Sequence, residues 1–155
     1  MKFVTSKDIE APQDHVFRAL SDFTAFERQA LRQGIDIIRT GQDAQAGPNI
    51  AWQVKFTYRN RPWTIDAGVA AFDPPSGYQI TGAGNGTAFS ATVDLMSLSR
   101  SITRLTFTID LVPQTMAMRL VVQSLRLMQG NLQARLDKRI ARLAGDVEAR
   151  WRARS

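Results

Sequence analysis

Three observations predict an α+β fold: a curved antiparallel sheet of about seven strands, two short helices after the first strand, and a long C-terminal helix packed across the sheet. Apolar residues alternate with period two from Ile35 to Val112, as strands with one buried face require. They recur with period 3.6 from Val121 to Val147, as an amphipathic helix requires. Near the N-terminus a strand pattern turns into a helix pattern at Pro12. A chain of 155 residues with 44% apolar residues buries the core of one domain, spanning 1–155, with a basic helix end at about 141–155.

Each element follows in order. Residues 2–10, KFVTSKDIE, alternate loosely around Phe3, Thr5 and Ile9 and predict a strand. Pro12 suits the first turn of a helix, where no N–H is needed, and Val16, Phe17 and Leu20 form its apolar face. Ser21 or Asp22 ends that helix and caps a second one carrying Phe23, Phe26 and Leu31, which stops at Gly34. Ile35 and Ile37 begin the sheet. Trp52, Val54, Phe56 and Tyr58 form one apolar row, and after the turn residues RNRP a second row continues with Trp63, Ile65, Ala67 and Val69. Pairing Tyr58 with Trp63, Phe56 with Ile65 and Val54 with Ala67 keeps both rows on one face.

DPPSG marks the next turn, and Tyr78 and Ile80 lead into GAGNG, a glycine-rich hairpin. Phe89, Ala91, Val93 and Leu95 make one more row and Leu105, Phe107, Ile109 and Leu111 the last, joined by SLSRSIT. Pro113 ends the sheet. The stripe Val121, Leu125, Met128, Leu132, Leu136, Ile140, Leu143 and Val147 crosses Gly130 and Asn131 without a phase jump, which predicts one helix of roughly 50 Å.

Composition narrows the chemistry. There is no cysteine, which excludes a disulfide framework, a thiolate metal site and a cysteine nucleophile. The N-terminal stretch has no apolar signal region and no apolar run reaches a membrane span, so the chain reads as soluble, with the cytoplasm as default location. His15, the one histidine, lies beside Asp14 on a short helix and is expected to face solvent. GAGNGTA lacks the GK[ST] ending of a phosphate cradle and sits between strands. Asp66, Asp94 and Asp110 fall on the outer parity, solvated or paired with Arg104 and Lys55. For an inner site there remain the Tyr58 and Tyr78 hydroxyls, the Trp52 and Trp63 indoles, Ser97, and Gln53 under a shifted register. These residues identify no general base, catalytic constellation, metal site or cofactor.

The net charge is +6 and the pI about 10.5, with the excess concentrated at the C-terminus, where Arg135, Lys138, Arg139, Arg142, Arg150, Arg152 and Arg154 outnumber Asp137, Asp146 and Glu148. Three readings stand open: a solvated helix face, a weak peripheral contact with anionic membrane aided by Trp151, and a nucleic-acid contact. The last lacks a recognised motif and interleaved aromatics, so no nucleic-acid partner is expected.

The stretch IEAPQDHVFRALSDF resembles the opening motif of the START-like (SRPBCC) superfamily, which includes Bet v 1-type, polyketide cyclase/dehydrase and lipid-transport-like domains. Ile9, Ala11, Pro12, Val16, Phe17, Leu20 and Asp22 match it, and TRLTFTIDLVP running into a long amphipathic helix extends the likeness over nearly the whole chain. The resemblance implies a helix-grip fold whose long helix encloses an apolar cavity. Its expected lining is Trp52, Val54, Phe56, Tyr58, Trp63, Ile65, Ala67, Tyr78, Phe89, Ala91, Val93, Phe107 and Ile109 under Val121, Leu125 and Met128, with Met116 and Met118 adaptable to ligand shape. Alternatively, the same residues simply fill a core. Function then divides three ways: binding of a hydrophobic small molecule (lipid, isoprenoid quinone or polyketide-like), a cyclase/dehydratase-like enzyme using cavity hydroxyls, or an interaction module acting through the basic helix. The partner expected is an apolar ligand, with the protein a monomer or homodimer.

Overall fold

A computed structural model describes residues 1–40, 50–58 and 60–154. Strand β1 (Lys2–Ile9) is followed by helices α1 (Gln13–Leu20) and α2 (Phe23–Arg32), then strands β2 (Asp36–Arg39), β3 (Ala51–Tyr58), β4 (Arg61–Asp73), β5 (Gly77–Gly84), β6 (Thr87–Ser99) and β7 (Ile102–Pro113), and helices α3 (Met116–Arg126) and α4 (Gln129–Arg154). The strands form one antiparallel sheet in the order β1-β7-β6-β5-β4-β3-β2, a meander whose last strand returns to pair with the first.

The local reasons are those the sequence carries. Pro12 holds the extended conformation before α1, and its carbonyl accepts the first helical N–H from Val16 at 3.1 Å. The Asp22 carboxylate caps α2 by accepting from the Ala25 N–H at 3.2 Å. Gly34 leaves α2 at φ +81°, a conformation that costs glycine nothing. Asn85 and Gly86, both at positive φ, form the two-residue turn between β5 and β6.

Three expectations need correction. The β3–β4 register is displaced by two residues: Tyr58 pairs with Arg61, Phe56 with Trp63, Val54 with Ile65 and Trp52 with Ala67. The hairpin is tighter than RNRP suggests because Asn60 adopts φ +62°, so pairing begins at Arg61; Arg59 of that turn lies outside the described residues. A shift of two preserves the inner face. Likewise, most of SLSRSIT is strand, with a register irregularity between Ser97 and Ser99.

The C-terminal stripe forms two helices instead of one. Thr115 caps α3 by accepting from Met118 N–H at 3.2 Å, and at Leu127 and Met128 the N–H groups bond to the carbonyls three residues back. The poor helix formers Gly130 and Asn131 follow at once, so the break is where helix continuation has least support. Helix α4, with 26 residues, is about 39 Å long. It packs along β1 and α1, while α3 lies against β7 at the other end.

The core lies between α1, α4 and the β1-β7-β6 half of the sheet, around Ile9, Val16, Leu20, Leu105 and Val147. A smaller cluster of Phe23, Ile50, Trp52 and Val69 lies beneath α2. Removing a side chain such as Leu105, 1% exposed, would cost about 2–5 kcal/mol.

Candidate functional site

The inner face of the sheet is not filled. It carries two apolar cavities, one at each end. The first, of about 560 Å³, lies beneath α3 and the α3–α4 joint. Its floor is Phe56, Trp63, Ile65, Thr87, Phe89 and Leu111, and its roof is Met118, Val121, Val122, Leu125, Leu127 and Met128. Phe56 and Trp63 stack nearly parallel at 6.1 Å, a direct result of their being cross-strand partners. Tyr58, Arg61 and Ser124 also line this cavity, Tyr58 and Arg61 as exposed residues. Leu127 is 90% exposed, so the helix break leaves an apolar residue on the rim.

Two polar atoms set this cavity apart. The Trp63 Nε1–H and the Thr87 hydroxyl are buried and have no hydrogen-bond partner among the described residues, and both side chains belong to the lining. An unmet buried polar group carries a desolvation penalty of about 1–3 kcal/mol. Among the lining residues, only Tyr58 and Arg61 carry ionisable side chains. The cavity therefore offers hydrogen-bond donors and a positive charge within a hydrocarbon wall.

The second cavity, of about 400 Å³, lies beneath α2 and the middle of α4. Phe23, Phe26, Ile37, Trp52, Val54, Ala67, Tyr78, Ile80, Val93, Leu105, Phe107, Ile140 and Leu143 line it, with Glu27 at its edge. Here the polar groups satisfy one another. Glu27 Oε2 accepts from Arg39 Nε at 2.9 Å and from Trp52 Nε1 at 2.9 Å, and Tyr78 donates its hydroxyl to the Leu20 carbonyl at 2.6 Å. Burial pushes the Tyr78 phenol far above its ordinary pKa.

The sequence model described as polyketide cyclase / dehydrase and lipid transport matches residues 1–148. The chain belongs to that family. Its fold is that of the START-like superfamily. The Zhui aromatase/cyclase from Streptomyces sp. R1128 superposes with a TM-score of 0.70 at 14% identity, covering 97% of this chain and 94% of that one. The protein TTHA0849 from Thermus thermophilus gives 0.66 at 13% identity, with 96% and 98% covered, and Ara h 8.0201 gives 0.59 at 14%, with 96% and 98% covered. At such identities the likeness is one of fold. No curated protein matches the sequence.

The residues expected to line one cavity are divided between two. Phe56, Tyr58, Trp63, Ile65, Phe89, Val121, Leu125 and Met128 line the α3 cavity; Trp52, Val54, Ala67, Tyr78, Val93 and Phe107 line the α2 cavity. Ala91 and Ile109 line neither, because they face each other across β6 and β7 in the stretch between the two. Met116 is 70% exposed and outside both linings, whereas Met118 is buried in the roof.

The hydroxyl candidates are corrected too. Ser97 is exposed and bonds to the Ser99 carbonyl, and the Tyr78 hydroxyl is spent on Leu20. Thr87, Arg61, Leu111 and Val122 line the α3 cavity without being part of the expected lining, although Thr87 and Leu111 share the inward parity of Phe89. Asp66 and Asp94 are exposed on the outer face, but Arg104 pairs with Asp8 at 2.8 Å, and Asp110 lies 3.9 Å from the N-terminal ammonium. The Arg104 guanidinium holds the Asp8 carboxyl below the usual range. No group of three or more metal-ligating side chains occurs among the described residues.

His15 does not face solvent. It is 7% exposed, its Nε2 donates to the Val147 carbonyl at 3.2 Å, and its ring packs on Trp151 with centroids 5.0 Å apart. Arg154 reaches its Nδ1 at 3.4 Å. The physical reason is that α4 continues its stripe from Val147 to Trp151 and covers the side of α1 that carries His15. The end of the basic helix is thus packed on the domain and does not project as a separate arm. No described helix is long and apolar enough to cross a membrane.

Proposed function

We propose that the protein binds an amphiphilic small molecule, mostly apolar with a carbonyl or carboxylate at one end, in the cavity beneath α3. One observation carries the reading: two buried polar side-chain atoms that have no partner among the described residues, Trp63 Nε1 and Thr87 Oγ1, both belong to the lining of that cavity. A ligand oxygen gives these donors the partner they lack among the described residues, while Phe56, Phe89 and the α3 side chains bury its apolar part at about 25 cal/mol per Å². Arg61 adds a positive charge suited to a carboxylate. A volume of about 560 Å³ falls within the range of small-molecule sites.

Binding is favoured over turnover because the lining offers no carboxylate or imidazole to act as general base. The family includes cyclases and dehydrases by its description, and that chemistry would have to come from Tyr58, Arg61 or the ligand itself.

Native mass spectrometry of freshly purified protein, followed by organic extraction, tests the reading. The expected result is a stoichiometric amphiphile that leaves on denaturation. Trp63→Phe, which keeps an aromatic stack and removes the N–H, should weaken binding of a fatty acid about fivefold and that of the matching alkane hardly at all. A clean apo mass that is unchanged by fatty acids, quinones and aromatic polyketides would overturn it.

A further inference from the structure

We propose that Phe89 is a movable partition between the two cavities, which together hold one elongated amphiphile, its polar end under α3 and its hydrocarbon tail under α2. This rests on the ligand reading above and adds the class of tail and the residue that sets its length.

The linings divide at one place along the strands. On β5, Gly84 lines the α3 cavity and Tyr78 and Ile80 the α2 cavity; on β7, Leu111 lines the first and Phe107 the second. Gly82 lies between them and lines neither. Phe89 is the cross-strand partner of Gly82, and its ring lies over it: a Cβ at Gly82 would stand 2.5 Å from Phe89 Cε1 and 2.7 Å from Cζ. Beyond Gly82 in the same row comes Ala67, which lines the α2 cavity. The ring thus leans from one cavity toward the other across the two smallest side chains of the row.

Nothing polar fixes that ring. A phenyl group has no hydrogen bond to hold it, and Phe89 belongs to none of the aromatic pairs found among the described residues. Rotation away from Gly82 would open the divide over Ala67 and Gly82 with no charge or hydrogen bond to break. The space it opens onto has its carboxylate, indole and phenol already engaged, so only hydrocarbon is welcome there.

Straight-chain saturated fatty acids from octanoic to stearic acid, titrated by calorimetry, test the partition. Each further buried methylene should tighten binding about fourfold until the accessible space is full. In the wild type the gain should stop at the length that reaches Phe89 with its ring in place. Phe89→Ala should carry it several carbons further, by a factor on the order of ten or more for stearic acid, and adding Ala67→Leu should restore the shorter limit. Phe89→Leu, which keeps an apolar filler without a ring, serves if the alanine variant does not fold, and should extend the limit less. An identical length profile in the wild type and folded Phe89 variants would overturn the partition and leave the ligand reading intact. Absence of fatty-acid binding by the wild type would overturn the partition with its hydrocarbon tail, and the ligand reading falls with it only if quinones and aromatic polyketides also fail to bind.

Discussion

In the α2 cavity Glu27 accepts from Arg39 and Trp52, and Tyr78 donates to Leu20, so each of these partly buried polar groups has a partner from the chain itself. In the α3 cavity, on the same sheet face, the Trp63 indole and Thr87 hydroxyl have none among the described residues. Both cavities are walled by aromatic and aliphatic side chains of similar kind. What differs is where the hydrogen-bonding capacity goes: inward into the fold at one end, and held in reserve at the other. Reserve capacity lowers the stability of the empty protein by the desolvation it leaves uncompensated, and the same free energy returns as affinity when an acceptor arrives. The roofs differ in the same sense. Helix α4 covers its part of the sheet with Ile140, Ala144 and Val147 buried, whereas α3 ends in a joint where Leu127 is exposed.

The contrast can be broken most strongly at Glu27. Its side chain is 20% exposed and that of its partner Arg39 17%, so Glu27→Ala takes a charged acceptor away from a largely buried guanidinium and from the Trp52 indole N–H. Urea unfolding should show a loss of about 2–3 kcal/mol. The next effect is a change of sign under one chemical substitution. Thr103, fully buried, donates to the Ala11 carbonyl at 2.8 Å, and Thr103→Val should destabilise by about 1–2 kcal/mol. Thr87→Val removes a hydroxyl that has no partner among the described residues and should stabilise the apo protein by about 1 kcal/mol while weakening binding of an acceptor-bearing ligand. Equal losses at both positions in urea unfolding would show that Thr87 is satisfied in solution and would remove the contrast.

The sequence discloses the sheet and its inner face because period-two alternation survives errors of register. Displacing the β3–β4 pairing by two residues moved Phe56 from Ile65 to Trp63 without turning either away from the cavity. The same parity carried Thr87, which could have been named from its place two residues before Phe89. Other features had no local signal. An unbroken apolar stripe cannot show that the helix stops at Leu127, since the break follows from weak continuation into Gly130 and from what α3 and α4 each find to cover. His15 looked exposed because its burial depends on a helix end more than a hundred residues later. The division of one expected cavity into two depends on where the ring of Phe89 lies, a side-chain matter that no pattern of residue types contains.

The two tyrosines sharpen the comparison at its smallest scale. In the sequence Tyr58 and Tyr78 are equivalent, each an inward residue with a hydroxyl to offer; in the fold Tyr58 is 48% exposed at the α3 cavity and Tyr78 is partly buried with its hydroxyl on the Leu20 carbonyl. Burial raises the Tyr78 pKa, and an oxygen already facing a carbonyl has no room for negative charge. The unfolded chain releases this proton near pH 10, the folded chain only at higher pH. Between those limits the unfolded state binds fewer protons, so stability must fall as pH rises, by at most about 1.4 kcal/mol per unit. Below pH 9 the group contributes no slope. Tyr78→Phe should therefore cost about 1 kcal/mol at neutral pH through the lost hydrogen bond, yet flatten the alkaline decline seen in urea unfolding. Tyr58→Phe should leave the Tyr78-dependent decline in place. A slope that persists unchanged in Tyr78→Phe would mean that the phenol is not held neutral by the fold, and that the α2 cavity is less closed to water than its hydrogen bonds imply.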